Sequence, residues 1–167
     1  VEAMTFTFKT CSLDKNPVNT LTTEAMKVYT FLQENYESKI ISGMMANVAW
    51  NTEKSEQVYQ WTGKYPAINC FDYVHLQSSP SNWIDYSDIT PVKNWSDNGG
   101  IVSIMWHWNV PVAEGSTSYA FYAENNGFDA DKALVEGSWE NKVFTADLEK
   151  CAGYLKLLKD ANIPVLW

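Results

Sequence analysis

The stretch GIVSIMWHW, residues 100–108, is the strongest strand signal in the chain. Branched aliphatic and aromatic side chains dominate it, and two glycines mark a turn at its start. A short run that is apolar over most of its length is typical of a strand buried in a parallel sheet. Side chains alternate between the two faces of a strand. One face therefore holds Val102, Ile104 and Trp106, and the other holds Ser103, Met105 and His107.

Three other short apolar runs flank this strand, at residues 39–43 (KIISG), 67–73 (AINCFDY) and 163–167 (IPVLW). Helical patterns separate them, and the predicted helices cover residues 24–36, 53–62, 85–96 and 145–161. Pro91 can occupy only a position near the start of its helix. Strands that alternate with helices predict a parallel α/β sheet in one domain, residues 1–167. A further short strand is possible at residues 4–8.

The architecture is either a doubly wound sheet of about four strands or part of a (β/α)8 barrel, because a full barrel needs ~250 residues. No glycine-rich phosphate-binding motif follows any of the strands, so a nucleotide-binding version of the fold has no support. The connection between residues 109 and 144 is long enough to be functional, folded on itself, or both.

Charge excludes two classes of partner. The chain has 167 residues and a formal net charge of -8, and all 12 of its basic residues are lysines. Nucleic acid and anionic membrane surfaces are therefore not expected partners. The sequence contains no run of ~18 apolar residues, so insertion into a membrane is not expected.

Aromatic residues make up 14% of the chain, including eight tryptophans. Sugars stack their apolar faces on aromatic rings, so this composition favours carbohydrate binding, although rings that fill a core are the alternative. The three cysteines are far apart and have only two histidines to assist them, which indicates neither a zinc site nor a disulfide framework. We expect Cys11, Cys70 and Cys151 to be small buried side chains, with one disulfide possible in an oxidising compartment. We expect no metal or organic cofactor.

Two polar residues stand at predicted strand ends. His107 would face the interior of a barrel at the carboxyl end of its strand, where barrel enzymes place their sites, or would be a core histidine bonded to a carbonyl group. Asp72 ends the preceding strand, and a ligand or a partner explains a carboxylate there better than packing does. His75 is expected on the surface.

Three segments carry a family resemblance: residues 39–43, 63–73 (GKYPAINCFDY) and 99–111 (GGIVSIMWHWNVP). In this order they resemble the amino-terminal half of glycoside hydrolase family 26, and in particular its β-mannanases of the Bacteroides type. The resemblance runs from about residue 21 to the last residue and implies a (β/α)8 barrel, of which this chain would supply strands 1–4. It also implies an extracellular, periplasmic or cell-surface location.

The resemblance implies retaining hydrolysis of β-mannan by two glutamates about 5 to 5.5 Å apart. Both are expected beyond residue 167, so no catalytic residue is assigned within this chain. His107 matches the histidine of the third strand that lines the sugar site. Trp106 is the weakest of the other substrate-contact candidates because alternation turns it outward. These other candidates are Trp108, Asn109, Asp72, Tyr73, Trp50 and Trp106, and the rings of Tyr119, Phe121, Tyr122 and Trp139 could form a wall of the cleft.

Half of a barrel would expose unpaired strand edges and apolar surface. The missing half is therefore expected as a second chain, as a further segment or through self-association, unless the fold is altered. Two functions stay open at this point, beside a third interpretation in which the chain is an unrelated parallel α/β protein whose aromatic residues fill its core. The chain is either the amino-terminal part of an endo-β-1,4-mannanase or a non-catalytic glycan-binding module or inactive fragment of one.

Overall fold

A computed structural model describes residues 20–46 and 48–167 of the chain. Four parallel strands form the central sheet, in the order β1 (Gly43–Met45), β2 (Ile68–Asp72), β3 (Ile101–Met105) and β6 (Val165–Leu166). Strands β4 (Val110–Pro111) and β5 (Tyr119–Ala120) form a separate antiparallel hairpin. The helices are α1 (Thr23–Asn35), α2 (Glu53–Thr62), α3 (Thr90–Asp97) and α4 (Trp139–Asp160). The possible strand at residues 4–8 and Cys11 lie outside the described residues.

One face of the sheet forms the core. Phe71, Val102 and Ile104 are at most 2% exposed and belong to one cluster with residues of α3 and α4. Burial of each such side chain contributes ~1.5–3 kcal/mol. The prediction that Val102 and Ile104 lie on a helix-covered face is therefore confirmed, as is the four-stranded parallel sheet.

Local signals explain most helix ends. Gly63 ends α2 in the left-handed conformation (φ 69°), which glycine adopts without steric cost. Pro91 lies in the first turn of α3, where it removes no helical hydrogen bond. The predicted start of α4 at Thr145 is wrong: the helix begins at Trp139, because the Ser138 hydroxyl accepts a hydrogen bond from the Asn141 backbone N–H at 2.9 Å.

The predicted first strand at residues 39–43 is displaced. Pairing with β2 begins only at Gly43, opposite Ile68, and continues to Met45. The segment before it leaves α1 through a turn, in which the backbone N–H groups of Ser38 and Lys39 donate to the carbonyl of Asn35. Ile40 is consequently 99% exposed instead of buried.

Strand β3 is shorter than predicted, and the long connection after it is folded. The ladder between β2 and β3 ends at Asp72 opposite Met105, so His107 lies beyond the strand and not within it. The connection contains the hairpin of β4 and β5 and two 3-10 segments, at Ala123–Asn125 and Ala130–Leu134. Among the described residues, no helix is sufficiently long and apolar to span a bilayer.

A buried hydrogen bond fixes α2 to the sheet. The Ser55 hydroxyl donates to the side-chain carbonyl of Asn69 at 2.6 Å, and both residues are fully buried. The Asn69 side-chain amide nitrogen has no hydrogen-bond partner among the described residues. Removal of the hydroxyl would leave the second half of this buried amide unsatisfied.

We predict that Ser55→Ala lowers the free energy of unfolding by about 1–3 kcal/mol, the cost of an unsatisfied buried polar group. Urea denaturation measures the change. Ser118→Ala, at an exposed serine, is the control and should stay within ~0.5 kcal/mol of the wild type. The double variant Ser55→Ala/Asn69→Leu should recover much of the loss. If the double variant is less stable than Ser55→Ala alone, the polar bond is not the origin of the effect.

Candidate functional site

Asp72 and His107 meet at the carboxyl ends of β2 and β3. One carboxylate oxygen of Asp72 accepts the backbone N–H of His107 at 3.1 Å, and the other lies 2.5 Å from the ring nitrogen Nδ1. The Asp72 side chain is 7% exposed, whereas that of His107 is 54% exposed. The aspartate is therefore a buried support, and the histidine ring is the part that reaches solvent.

This arrangement determines which ring nitrogen is available. A carboxylate accepts hydrogen bonds, so Nδ1 of His107 carries the ring proton and donates a hydrogen bond to Asp72. The second ring nitrogen, Nε2, is then an acceptor on an exposed ring. It can take a hydrogen bond from a hydroxyl group, which is the group that a sugar presents.

The loops after β2 and β3 are joined beside this pair. The Asn109 side-chain amide donates to the backbone carbonyl of Val74 at 2.7 Å. The expectation that His75 is a plain surface residue is wrong. This residue is half-buried against Trp83, with ring centroids 4.8 Å apart. Burial lowers the pKa of His75, and the Asp72 carboxylate opposes part of that shift.

Trp83 is a ring that the sequence analysis did not single out. Its side chain is 62% exposed and lies on the loop that follows β2, edge-on to His75. No local pattern identifies it, because an exposed tryptophan in a loop looks the same in sequence as one that fills a core. The structure adds Trp83 to the aromatic rings at the carboxyl edge of the sheet.

Helix α4 contacts the ring of Trp108 and fixes its position. Its indole N–H donates to the Asp147 carboxylate at 2.7 Å, and its ring packs against Phe128 and Phe144 at centroid distances of 5.2 and 5.4 Å. The long connection and α4 thus clamp the ring from two directions. Burial raises the pKa of Asp147, while the hydrogen bond from Trp108 opposes that shift.

Three of the predicted contact residues are placed mainly in the core. Tyr73 is fully buried, and Trp50 stacks on it at 5.4 Å while its N–H donates to the carbonyl of Asp88. Trp106 packs against the core cluster, and its N–H has no hydrogen-bond partner in the described part of the chain. Alternation explains Tyr73: since Asp72 faces the open side of the sheet, its neighbour faces the helices. Tyr73 is therefore not in a position to contact a ligand.

The rings of the long connection divide into two groups. Trp139 packs on Phe128 at 5.3 Å inside the clamp around Trp108. Tyr119, Phe121 and Tyr122 are 42–57% exposed on and after β5. The exposed group is the part of the connection that is available to a ligand.

No described group of three or more histidine, cysteine, aspartate or glutamate side chains could hold a metal ion. Cys70 and Cys151 are free thiols, the first half-buried and the second buried. Burial raises the pKa of Cys151 to about 11, which keeps the thiol neutral at ordinary pH.

We predict that Asp147→Asn removes a pH-dependent loss of stability. The pKa of Asp147 is raised above 3.8 in the folded chain, so the contribution of this group to wild-type stability falls as the pH rises from there through the raised value. Asparagine keeps the acceptor for Trp108 without this titration. Thermal unfolding at about pH 3.5 and about pH 7 measures this: the melting temperature at pH 7, relative to that at pH 3.5, should be higher in the variant than in the wild type.

Asp131→Asn, at an exposed aspartate, is the matched control and should keep the wild-type difference in melting temperature between the two pH values. Asp147→Leu, which removes the acceptor, should lower the melting temperature at both pH values. An identical difference between the two pH values in Asp147→Asn and the wild type would show that burial of this carboxyl group has no energetic consequence.

Comparison with known proteins agrees with this geometry. The family model described as Glycosyl hydrolase family 26 matches residues 17–167. A mannan endo-1,4-beta-mannosidase of Thermothelomyces thermophilus is 34% identical over 154 residues, which are 86% of this chain and 30% of that protein. Mannan endo-1,4-beta-mannosidase B of Piromyces is 32% identical over 151 residues, 86% of this chain and 26% of that protein.

Solved structures give the same result. The GH26 domain of an endo-beta-mannanase/endo-beta-glucanase from Prevotella bryantii is 46% identical and superposes with a TM-score of 0.83, over 87% of this chain and 46% of that one. The chain thus spans less than half the length of these relatives. The resemblance and the half-barrel prediction are both confirmed: this chain belongs to glycosyl hydrolase family 26, and its parallel sheet is part of a (β/α)8 barrel.

Proposed function

We propose that residues 1–167 are the amino-terminal half of the catalytic barrel of an endo-β-1,4-mannanase that hydrolyses β-mannan or galactomannan with retention of configuration. The observation that carries the proposal is the bonded pair Asp72 and His107 at the carboxyl edge of the sheet. Barrel enzymes build their sites at this edge. The names of the curated relatives supply the substrate class.

Within this site, His107 binds the substrate and Asp72 positions it. The ring presents Nε2 to a sugar hydroxyl, while Asp72 fixes the orientation of the ring through two hydrogen bonds. Trp108 and Asn109 follow directly in the chain, and their anchors, Asp147 and the Val74 carbonyl, hold the lip of the cleft. A ring held in one orientation favours transition-state contacts, because less freedom is lost on binding.

The two catalytic glutamates are proposed to lie outside residues 1–167. Retaining hydrolysis needs an acid/base and a nucleophile, with carboxyl groups about 5 to 5.5 Å apart. Asp72 is the buried carboxylate at the described edge of the sheet, and His107 engages both of its oxygens. Its role as a support for the ring leaves the chemical step to other residues.

The outer edges of the sheet support the proposal that further strands complete the barrel. Within residues 20–46 and 48–167, strands β1 and β6 each pair on one side only. Apolar residues around them are exposed: Ile40 is 99%, Met45 43% and Trp167 65% exposed. The remaining strands of the barrel, in the same polypeptide, in a second chain or by self-association, would cover this surface. Action on an extracellular or cell-surface polymer follows from the substrate, which is too large to import.

The test is hydrolysis of β-mannan by a polypeptide in which residues 1–167 are followed by the rest of the barrel. We predict that His107→Ala lowers kcat/KM about 100-fold, because lost positioning at a reacting centre has effects of this order. Asp72→Asn should lower it less, since the amide keeps one acceptor oxygen. Residues 1–167 alone should release no reducing sugar.

Asp160→Asn is the control, since its exposed pair with Lys156 contributes less than ~1 kcal/mol. Wild-type activity in His107→Ala would contradict the assignment of the site. Binding of mannan without hydrolysis in the complete barrel would instead identify a glycan-binding module.

A further inference from the structure

A groove lies between α2 and α3, on the outside of the sheet. Its volume is about 530 Å³, within the range of small-molecule sites. It runs from the first turns of both helices to the turn before β3. The lining residues are Thr52, Glu56, Tyr65, Pro66, Ala67, Pro91, Asn94, Trp95, Asn98, Gly99 and Gly100.

This groove is separate from the pair at the carboxyl edge. Asn69 points to α2, since it accepts a hydrogen bond from Ser55. Asp72 follows three positions later in β2, so its side chain points to the opposite face of the sheet. A ligand in the groove would therefore lie across the sheet from His107.

Aromatic rings form the apolar part of the groove. Tyr65 is 48% exposed, stacks on Tyr59 at 4.4 Å with nearly parallel rings, and meets Trp95 edge-on at 6.0 Å. Trp95 can lie under the turn because residue 100 is glycine: a Cβ there would be 2.3 Å from the indole nitrogen. The groove thus has a rigid aromatic floor with one accessible ring.

Acceptor groups form its polar part. The Glu56 carboxylate accepts the Tyr65 hydroxyl at 2.7 Å through one oxygen, which leaves the other oxygen for a ligand. The Asn98 amide donates to the Asn94 carbonyl at 2.8 Å, which leaves its side-chain oxygen as an acceptor. None of the described residues that line the groove is basic, so the lining does not suit a phosphate or another anion.

We propose that this groove is a second carbohydrate-binding site, in which a segment of a β-1,4-linked polysaccharide stacks on Tyr65. The hydroxyls of the sugar donate hydrogen bonds to the side chains of Glu56, Asn94 and Asn98. The choice of mannan as the polysaccharide rests on the proposed function. A site outside the cleft would keep an insoluble polymer attached while the cleft acts on another part of it.

A proline-rich peptide suits the groove less well. Such peptides bind aromatic grooves that offer N–H or O–H donors to their carbonyl groups. Here the Tyr65 hydroxyl is engaged by Glu56, and the Trp95 indole donates to the Ile101 carbonyl at 3.0 Å. Proline has no backbone N–H, so a proline-rich peptide offers few donors to the second Glu56 oxygen, whereas the hydroxyls of a sugar can donate to this oxygen and also accept from the side-chain amides of Asn94 and Asn98.

The test is NMR titration of the ¹⁵N-labelled chain with mannohexaose. We predict shifts of the backbone amides of Asn98, Gly99 and Gly100, and an affinity at these amides at least about tenfold lower in Tyr65→Ala because the stacking ring is lost. Asn94→Ala, which raises helix propensity and so should not impair folding, should also weaken this binding. Tyr36→Ala is the control, since Tyr36 is 50% exposed directly after α1 and does not line the groove.

The readout separates the two sites. Asp72→Asn should leave the groove shifts unchanged, so groove shifts support the second site whether or not His107 responds, and failure of the proposed function is measured separately by hydrolysis in the complete barrel. The second site is wrong if the groove amides do not respond to mannohexaose, if Tyr65→Ala and Asn94→Ala both bind as the wild type does, or if a proline-rich peptide shifts these amides and mannohexaose does not.

Discussion

The two hydrogen bonds from His107 to Asp72 are the constraint on which the site depends. They join the ends of β2 and β3 at the point where the ladder between the strands stops. A nearly buried carboxylate at this position is costly unless it is satisfied, and the histidine backbone and ring satisfy it. The same contacts leave one ring nitrogen exposed, so the stability of the edge and the availability of a binding group have a common origin.

Much of the fold could be predicted because each strand is a short apolar run between turn signals. Asp72 and His107 were each predicted at a strand end, but the bond between them depends on the register of two strands, which no local pattern specifies. Alternation turned Trp106 outward, and the same argument applied to Tyr73 would have placed it in the core. The start of α4 was missed although Ser138 carries a capping signal.

Aromatic residues serve two purposes in this chain, which is why composition alone could not separate a core from a glycan site. Tyr73 and Tyr86 fill the interior, and Trp50 packs against both rings. Trp83, Tyr65 and the rings near β5 remain accessible. Burial, and not residue type, distinguishes the two groups.

Strands β1 and β6 form the exposed edges of the described sheet. The sheet is part of a larger barrel, as expected for a family 26 domain.

The most direct measurement of the central claim is ¹⁵N NMR of the two histidine rings, with and without mannohexaose. We predict that His107 carries its proton on Nδ1 in the free chain, and that its Nε2 signal moves when the oligosaccharide binds. A ring protonated only on Nε2, or a His107 signal that does not change at saturating mannohexaose, would contradict the assignment of the Asp72 and His107 pair as the sugar site.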